Sequence, residues 1–227
     1  MEPLTSEIFA TKGAEYLLVI GFLPLLAWFW WYLIRSPGAA GRTAGQGTAG
    51  RWFRFPAEAY FHPGHSWARP EPQGLVRVGI DDFAQKLIGV PEAVHLPAPG
   101  ARVEQGARDA SFRFGDQTID LLSPVDGQVV ARNEALDETP ELINRDPYGA
   151  GWLLLVAPTR IASNLGNLLH RGSAAAWMSA AEESLRARMA PGLGVVLQDG
   201  GVPVTGIARN VFGEGWEGTA RELLLTP

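Results

Sequence analysis

From Tyr16 to Ile34 the chain reads YLLVIGFLPLLAWFWWYLI, 19 residues with no formal charge. As a helix rising about 1.5 Å per residue, such a run spans roughly the 30 Å hydrocarbon core of a bilayer. Lipid offers no hydrogen bonds, so a spanning segment must satisfy its own backbone. The sequence therefore predicts one N-terminal transmembrane helix. Trp28, Trp30, Trp31 and Tyr32 gather amphipathic aromatics at one end, where an interfacial belt belongs, and Arg35 follows directly. Pro24 kinks the helix or draws a neighbouring helix to the freed carbonyl. Residues 1–15 carry Glu2, Glu7 and Glu15 against Lys12, whereas residues 35–54 carry Arg35, Arg42, Arg51 and Arg54 and no acid. The positive-inside bias then puts the N-terminus outside and the remainder in the cytoplasm, as a single-pass protein of a bacterial inner membrane. A cleaved signal peptide is the competing reading, helped by the small residues SPGAAG after the run. Signal peptides want a basic start and a shorter apolar core, and this start is acidic and the core long and Trp-rich.

Residues 36–54 begin with SPGAAGRTAGQGTAG, a Gly/Ala linker with no apolar period, suited to holding a domain off the bilayer. Beyond it, 27 Gly and 17 Pro in the whole chain favour many short elements joined by turns over a helical bundle. GLVRVGI (74–80) alternates like a half-buried strand, and DDFAQKLIG (81–89) reads as a short helix with an Asp cap and a Gly stop. EAVHLPAPG (92–100) is a strand entering a Pro-Gly turn. Phe112–Phe114 and Thr118–Leu122 form a hairpin, GQVVARN (127–133) is a strand, and GWLLLVAP (151–158) is a buried strand. Residues 160–189 turn helical, with Ser173 as a cap and Ala176, Trp177, Ala180, Ala181 and Leu185 as the apolar face. Glu182, Glu183, Arg186 and Arg188 are expected largely opposite. Residues 190–227 form a C-terminal extension, read as a hairpin through VVLQDGGVPVTGIARNVF around Asp199-Gly200-Gly201.

The absence of cysteine excludes disulfides, thiolate metal sites and cysteine nucleophiles. A net charge of −5 and the lack of a basic stripe argue against nucleic acid as a partner. His62-Pro63-Gly64-His65 has the spacing of a metal pair, but it lies in a Pro-Gly turn with no third ligand nearby. His95 and His170 complete the four histidines without a sustained ligand pattern. Asp81 and Asp82 read as a helix start before a carboxylate pair. No phosphate cradle, haem-attachment motif or convergent set of ionisable groups stands out, so no catalytic, metal or cofactor-binding residues are assigned, no cofactor is expected, and the chain reads as a non-enzyme.

Several stretches together resemble the glycine-cleavage H protein family. They are His65-Ser66-Trp67, Gly74-Leu75-Val76, Phe83-Ala84-Gln85 and the turn from Val94 to Gly100, then Ser123-Pro124-Val125-Asp126-Gly127. The most specific is the run Asn144 to Trp152, NRDPYGAGW. The resemblance covers about 55–189 and implies a mainly β domain with flanking helices, a lipoyl-like β-barrel-sandwich hybrid. It also implies a lipoyl group on a hairpin lysine eight residues before the Pro of Ser-Pro-Val-x-Gly. Counting back from Pro124 reaches Asp116. The chain's two lysines are Lys12 and Lys86, neither near that hairpin. A lipoyl amide needs a lysine amine, which Asp116 does not have.

The expectation is therefore a non-lipoylated, H-protein-like accessory or scaffold subunit of an inner-membrane complex. Its partners would be integral membrane subunits and the lipid bilayer, with Asp116 as a candidate contact; the blander reading of Asp116 is a residue that favours the turn. Two alternatives stay open: a subunit of a quinone-linked respiratory or photosynthetic electron-transfer complex, and a membrane recruitment platform for glycine-cleavage-type enzymes.

Overall fold

The computed structural model describes residues 22–23, 25, 52–189 and 205–226. The chain divides into two units, Met1–Gln46 and Gly47–Pro227. In the first, Phe22, Leu23 and Leu25 are helical and more than half exposed. The rest of the apolar run, including Trp28, Trp30, Trp31 and Tyr32, lies outside the described residues, as do Arg35, residues 36–51 of the expected linker and the Asp199 turn. Residues 52–54, expected as linker, instead belong to the domain, with Trp52 and Phe53 buried in its core. Among the described residues no helix is long and apolar enough to cross a membrane.

The second unit is mainly β with flanking helices. Strands β1 (Tyr60–Phe61), β2 (Ser66–Pro70) and β3 (Val76–Ile80) form a meander that leads into helix α1 (Asp82–Ile88). Next come β4 (Ala93–His95), β5 (Arg102–Val103), β6 (Arg108–Phe114), β7 (Gln117–Leu122) and β8 (Gly127–Arg132). Two single-turn helices, α2 (Ala135–Glu138) and α3 (Leu142–Arg145), precede β9 (Leu154–Pro158), α4 (Ile161–Gly166) and β10 (Leu169–His170). Helix α5 (Gly172–Met189) and two C-terminal helices, α6 (Ile207–Phe212) and α7 (Trp216–Leu223), complete it. Seven strands form one antiparallel sheet in the order β10-β1-β2-β3-β9-β8-β5, and three form the second, β4-β6-β7.

Local sequence explains most of these elements. In β8, Gly127 and Val129 are buried while Gln128 and Val130 face out, the period-2 alternation of a half-buried strand. Helix α1 begins where Asp81 Oδ1 accepts from Ala84 N (2.8 Å) and stops at Gly89, whose φ of 86° a side chain would strain. Phe83, Ala84, Leu87 and Ile88 all bury, so α1 lies inside the core, not on it. The same core cluster holds Phe112 and Ile119 of the smaller sheet, Ile80 and Leu154 of the larger, and Leu153 just before β9.

Two expectations fail on the helices. In α5 the buried positions are Ala174, Met178, Glu182, Leu185 and Met189, while Ala176 and Ala180 are exposed. The face is rotated so that Glu182 turns inward, where its carboxylate accepts from the buried Trp52 N (3.3 Å) and from Arg186 Nη2 (2.5 Å), an exposed side chain one turn on. Arg186 in turn lies 4.1 Å over the Trp52 ring. Ser173 does not cap α5; its hydroxyl accepts from His170 N and donates to His170 O, closing the preceding turn. The expected final strand, running to Phe212, is instead α6, followed by α7. Trp216, Ala220 and Leu224 recur at i, i+4 and i+8, and each is buried.

Trp67 of β2 is wholly buried, and its ring lies flat against Gly79 of β3, its cross-strand partner. A Cβ at Gly79 would stand 2.5 Å from the indole carbons, far inside contact distance. Gly79→Ala must therefore displace the Trp67 ring, and overpacking of this kind costs about 2 kcal/mol or more. The urea midpoint should fall by the corresponding amount with an unchanged m-value.

Candidate functional site

Strands β6 and β7 pair from Arg108 to the tip, where Arg113 faces Thr118 and Phe114 faces Gln117. Gly115 and Asp116 alone form the loop. Gly115 has φ 59° and open space around the position a Cβ would take, so glycine is required there for its backbone and not for room. A glycine with positive φ at the first loop position is the type II′ pattern, whose twist matches that of the strands. Glu92, just before β4, holds the turn from the side. Its Oε1 accepts from Gly115 N (3.0 Å) and its Oε2 from Arg113 Nη1 (3.1 Å).

Asp116 is exposed at this tip. A carboxylate there can accept hydrogen bonds or pair with a cation, but it cannot form an amide with a carboxylic acid as an amine can. Lys86 offers no substitute. It sits on α1, its Nζ donating to Asp82 Oδ2 (2.9 Å) and to Trp52 O (3.0 Å), with its side chain 17% exposed. Lys12 lies outside the described residues.

Beside the tip the α6–α7 turn forms the far wall of an open groove of about 580 Å³. Glu92, Gln117, Glu214 and Glu217 line it, with Phe114 and Trp216 at its base under Arg209. Sequence reasoning missed this wall because the hairpin reading was carried through Phe212. The signal was present in the helical spacing of Trp216, Ala220 and Leu224.

The residues that carry the resemblance gather elsewhere, in a buried polar frame. His65 Nδ1 donates to Asp81 Oδ2 (2.8 Å), and the ring stacks on Phe83 with centroids 4.1 Å apart. The Trp67 indole N–H is shared between Ile80 O (2.9 Å) and Pro147 O (3.1 Å). Asn144 Nδ2 lies 3.0 Å from Gln85 O, Gln85 Oε1 and Gly89 O. Tyr148 OH accepts from Asp82 N (3.0 Å) and donates to Arg54 O (2.8 Å). Asp82 caps nothing; its carboxylate takes Arg54 N, Gln85 Nε2 and Lys86 Nζ. Asp81 is the cap, as expected. Most of their polar atoms are spent on structure; the buried Asn144 Oδ1 has no hydrogen-bond partner among the described residues.

His62 and His65 take different partners. His62 Nδ1 accepts from Gly64 N (3.0 Å), and burial followed by the neighbouring His65 lowers its pKa. His95 is exposed on β4, and His170 Nδ1 bonds Ala59 O (3.0 Å) with its ring stacked on Tyr60. Among the described residues no group of three or more His, Asp or Glu is placed to hold a metal.

Fold and site together define a lipoyl-like β domain with flanking helices, built on a buried polar frame and presenting a two-residue hairpin tip. The sequence profile of the glycine cleavage H-protein family matches residues 59–181. The chain belongs to that family. The glycine cleavage system H protein of Shewanella halifaxensis is 41% identical over 114 residues, covering 50% of this chain and 88% of that protein. The probable glycine cleavage system H protein of Natronomonas pharaonis is 44% identical over 104 residues, covering 46% and 82%. A crystal structure of the glycine cleavage system H protein from Mycobacterium marinum is 36% identical, with a TM-score of 0.43, covering 46% of this chain and 87% of that one. Helices α6 and α7 lie beyond the matched segment.

Two outcomes follow from this geometry. Gly115→Ala should cost about 1 kcal/mol from left-handed backbone strain, while Asp116→Asn, at an exposed tip, should stay within about 0.5 kcal/mol; denaturation midpoints separate the two. Burial, then the Asp81 charge, holds the Tyr148 hydroxyl well above its ordinary pKa. The unfolded chain loses that proton near pH 10 while the folded one keeps it, so stability falls as pH rises past about 10. Tyr148→Phe should flatten that alkaline slope, measured by denaturation between pH 8 and 11, and should lower stability at pH 8 by about 1–3 kcal/mol for the unpaired backbone groups.

Proposed function

We propose that this chain is a non-catalytic, non-lipoylated H-protein-like subunit that docks in an inner-membrane complex. The observation that carries the reading is the chemistry of the tip. The hairpin stands complete, with its glycine turn and its Glu92 support, yet it ends in a carboxylate, and Lys86 is committed to Asp82. A carrier hairpin without an amine is left with its surface. Loop tips held on a rigid scaffold are well placed for contacts, and Asp116 is the residue this tip offers.

The apolar run Tyr16–Ile34 is the proposed tether. Its orientation follows from the arginines at 35, 42, 51 and 54, which put the β domain on the cytoplasmic side. Trp28, Trp30, Trp31 and Tyr32 set the depth of the helix at the lipid interface, and its Pro24 suits packing against other spanning helices. Integral membrane subunits are then the partners. The family match favours one second reading, a platform that brings glycine-cleavage-type enzymes to the membrane.

The test is purification of the full chain from its native membrane in mild detergent, with intact-mass analysis and identification of co-purifying proteins. The expected result is the unmodified mass together with integral membrane subunits. A lipoyl adduct on the chain would overturn the non-lipoylated reading. Recovery from the soluble fraction would remove the tether, and recovery with soluble glycine-cleavage enzymes would replace the scaffold by the recruitment platform.

A further inference from the structure

A two-stranded hairpin is marginal by itself. In the sheet β4-β6-β7, one side of the β6–β7 hairpin pairs with β4, and β7 is the edge. The edge strand still has backbone groups to satisfy, and α7 meets one of them. Arg221 Nη2 donates to Thr118 O (3.0 Å) on β7, opposite Arg113. Covering an edge with a helix is a standard way to close it, and α7 packs along β7.

Nearer the tip the contact becomes an interlock. The rings of Phe114 and Trp216 meet edge to face, with centroids 5.4 Å apart at 88°. The Arg209 guanidinium lies 4.8 Å from the Phe114 ring and 4.7 Å from the Trp216 ring. One cation therefore joins the last residue of β6 to the first residue of α7, two segments 102 positions apart (216 − 114). Arg209 itself is exposed, whereas both rings are buried, at 4% and 8% exposure.

The helices are in turn fixed to the rest of the domain. Gly206 N donates to Lys86 O (2.8 Å), and α6 packs against α1. A Cβ at Gly89 would lie 3.0 Å from Gly206 Cα, so the two glycines let these backbones touch. Arg188 on α5 makes a two-point pair with Glu222 on α7 at 3.0 and 2.8 Å. Ile207, Ala208, Ala220 and Leu224 have no exposed surface and join the core cluster that holds Phe112 and Ile119.

We propose that residues 205–226 are a brace that holds the β6–β7 hairpin in one pose, with Arg209 as its latch, so that the tip acts as a fixed contact and not as a mobile arm. The brace ties the hairpin through α6 and α7 to α1 and α5 while leaving Gly115 and Asp116 exposed. A partner meeting Asp116 then meets a preorganised side, with less ordering left to do on binding.

Amide hydrogen exchange of the full-length protein in detergent tests this directly. Arg209→Ala should speed exchange across residues 112–119 about tenfold and leave β3 and β9 unchanged. Trp216→Ala should speed the same region about a hundredfold. If Trp216→Ala loosens every amide alike, the exposed Arg209 decides the question on the same two regions. Unchanged rates at 112–119 in Arg209→Ala overturn the latch. Faster exchange in α7 alone in Trp216→Ala overturns the brace. No partner enters this measurement, so its failure would leave the docking reading standing.

Discussion

The Trp67 indole N–H is given at once to the carbonyls of Ile80 and Pro147, residues 67 positions apart (147 − 80), while its ring fills the space left by Gly79. That single buried donor fixes the distance between the β2–β3 ladder and the loop before β9. The seat of α1, on which the second sheet rests, lies beside it. The loop brings Tyr148 to Asp82 and Asn144 to Gln85, which seats α1 in the core. Helix α1 then supplies the surface on which Phe112 and Ile119 of the second sheet close. A buried indole must find an acceptor, and the two it finds add a side-chain tie to segments that the β3–β9 ladder and the Leu153 N–Val78 O bond already hold in register.

The polar frame around α1 carries more charge than a core ordinarily tolerates. Asp81 and Asp82 are both essentially unexposed. Each is made acceptable by donors: His65 and Ala84 N for the first, and Arg54 N, Gln85 and Lys86 for the second. Removing one partner would leave an uncompensated carboxylate, which is far more costly than the pair is stabilising. The same frame explains how the incoming chain is held. Trp52, Phe53 and Arg54 are strapped down by Glu182, Phe83, Lys86 and Tyr148, so the domain takes in the last three residues of the expected linker.

Much of this was legible in the sequence because local chemistry and global packing agree. Asp81 with Gly89 marks α1 at both ends, alternation marks β3 and β8, and Gly115 marks the hairpin. The failures occur where a distant residue decides. Glu182 reads as a solvent-facing carboxylate until Trp52, 130 residues earlier, arrives with a donor. The segment ending at Phe212 follows a glycine-rich turn and contains Val and Ile, so a strand is the local choice. Its helical form is set by the fit of Ile207 and Ala208 beneath α1 and of Trp216 beside Phe114, which no short window contains.

The turn at the tip does not depend on the side chain at its second position. Residue 116 contributes nothing that the fold depends on. The turn is made by Gly115, braced by Glu92 on one side and Arg113 across from it, and the strands beneath are locked by Phe112, Phe114 and Ile119. Side-chain chemistry at such a position is therefore uncoupled from stability. Here the carboxylate is presented at a single exposed turn, next to a groove walled by two helices that lie outside the segment matched to the family.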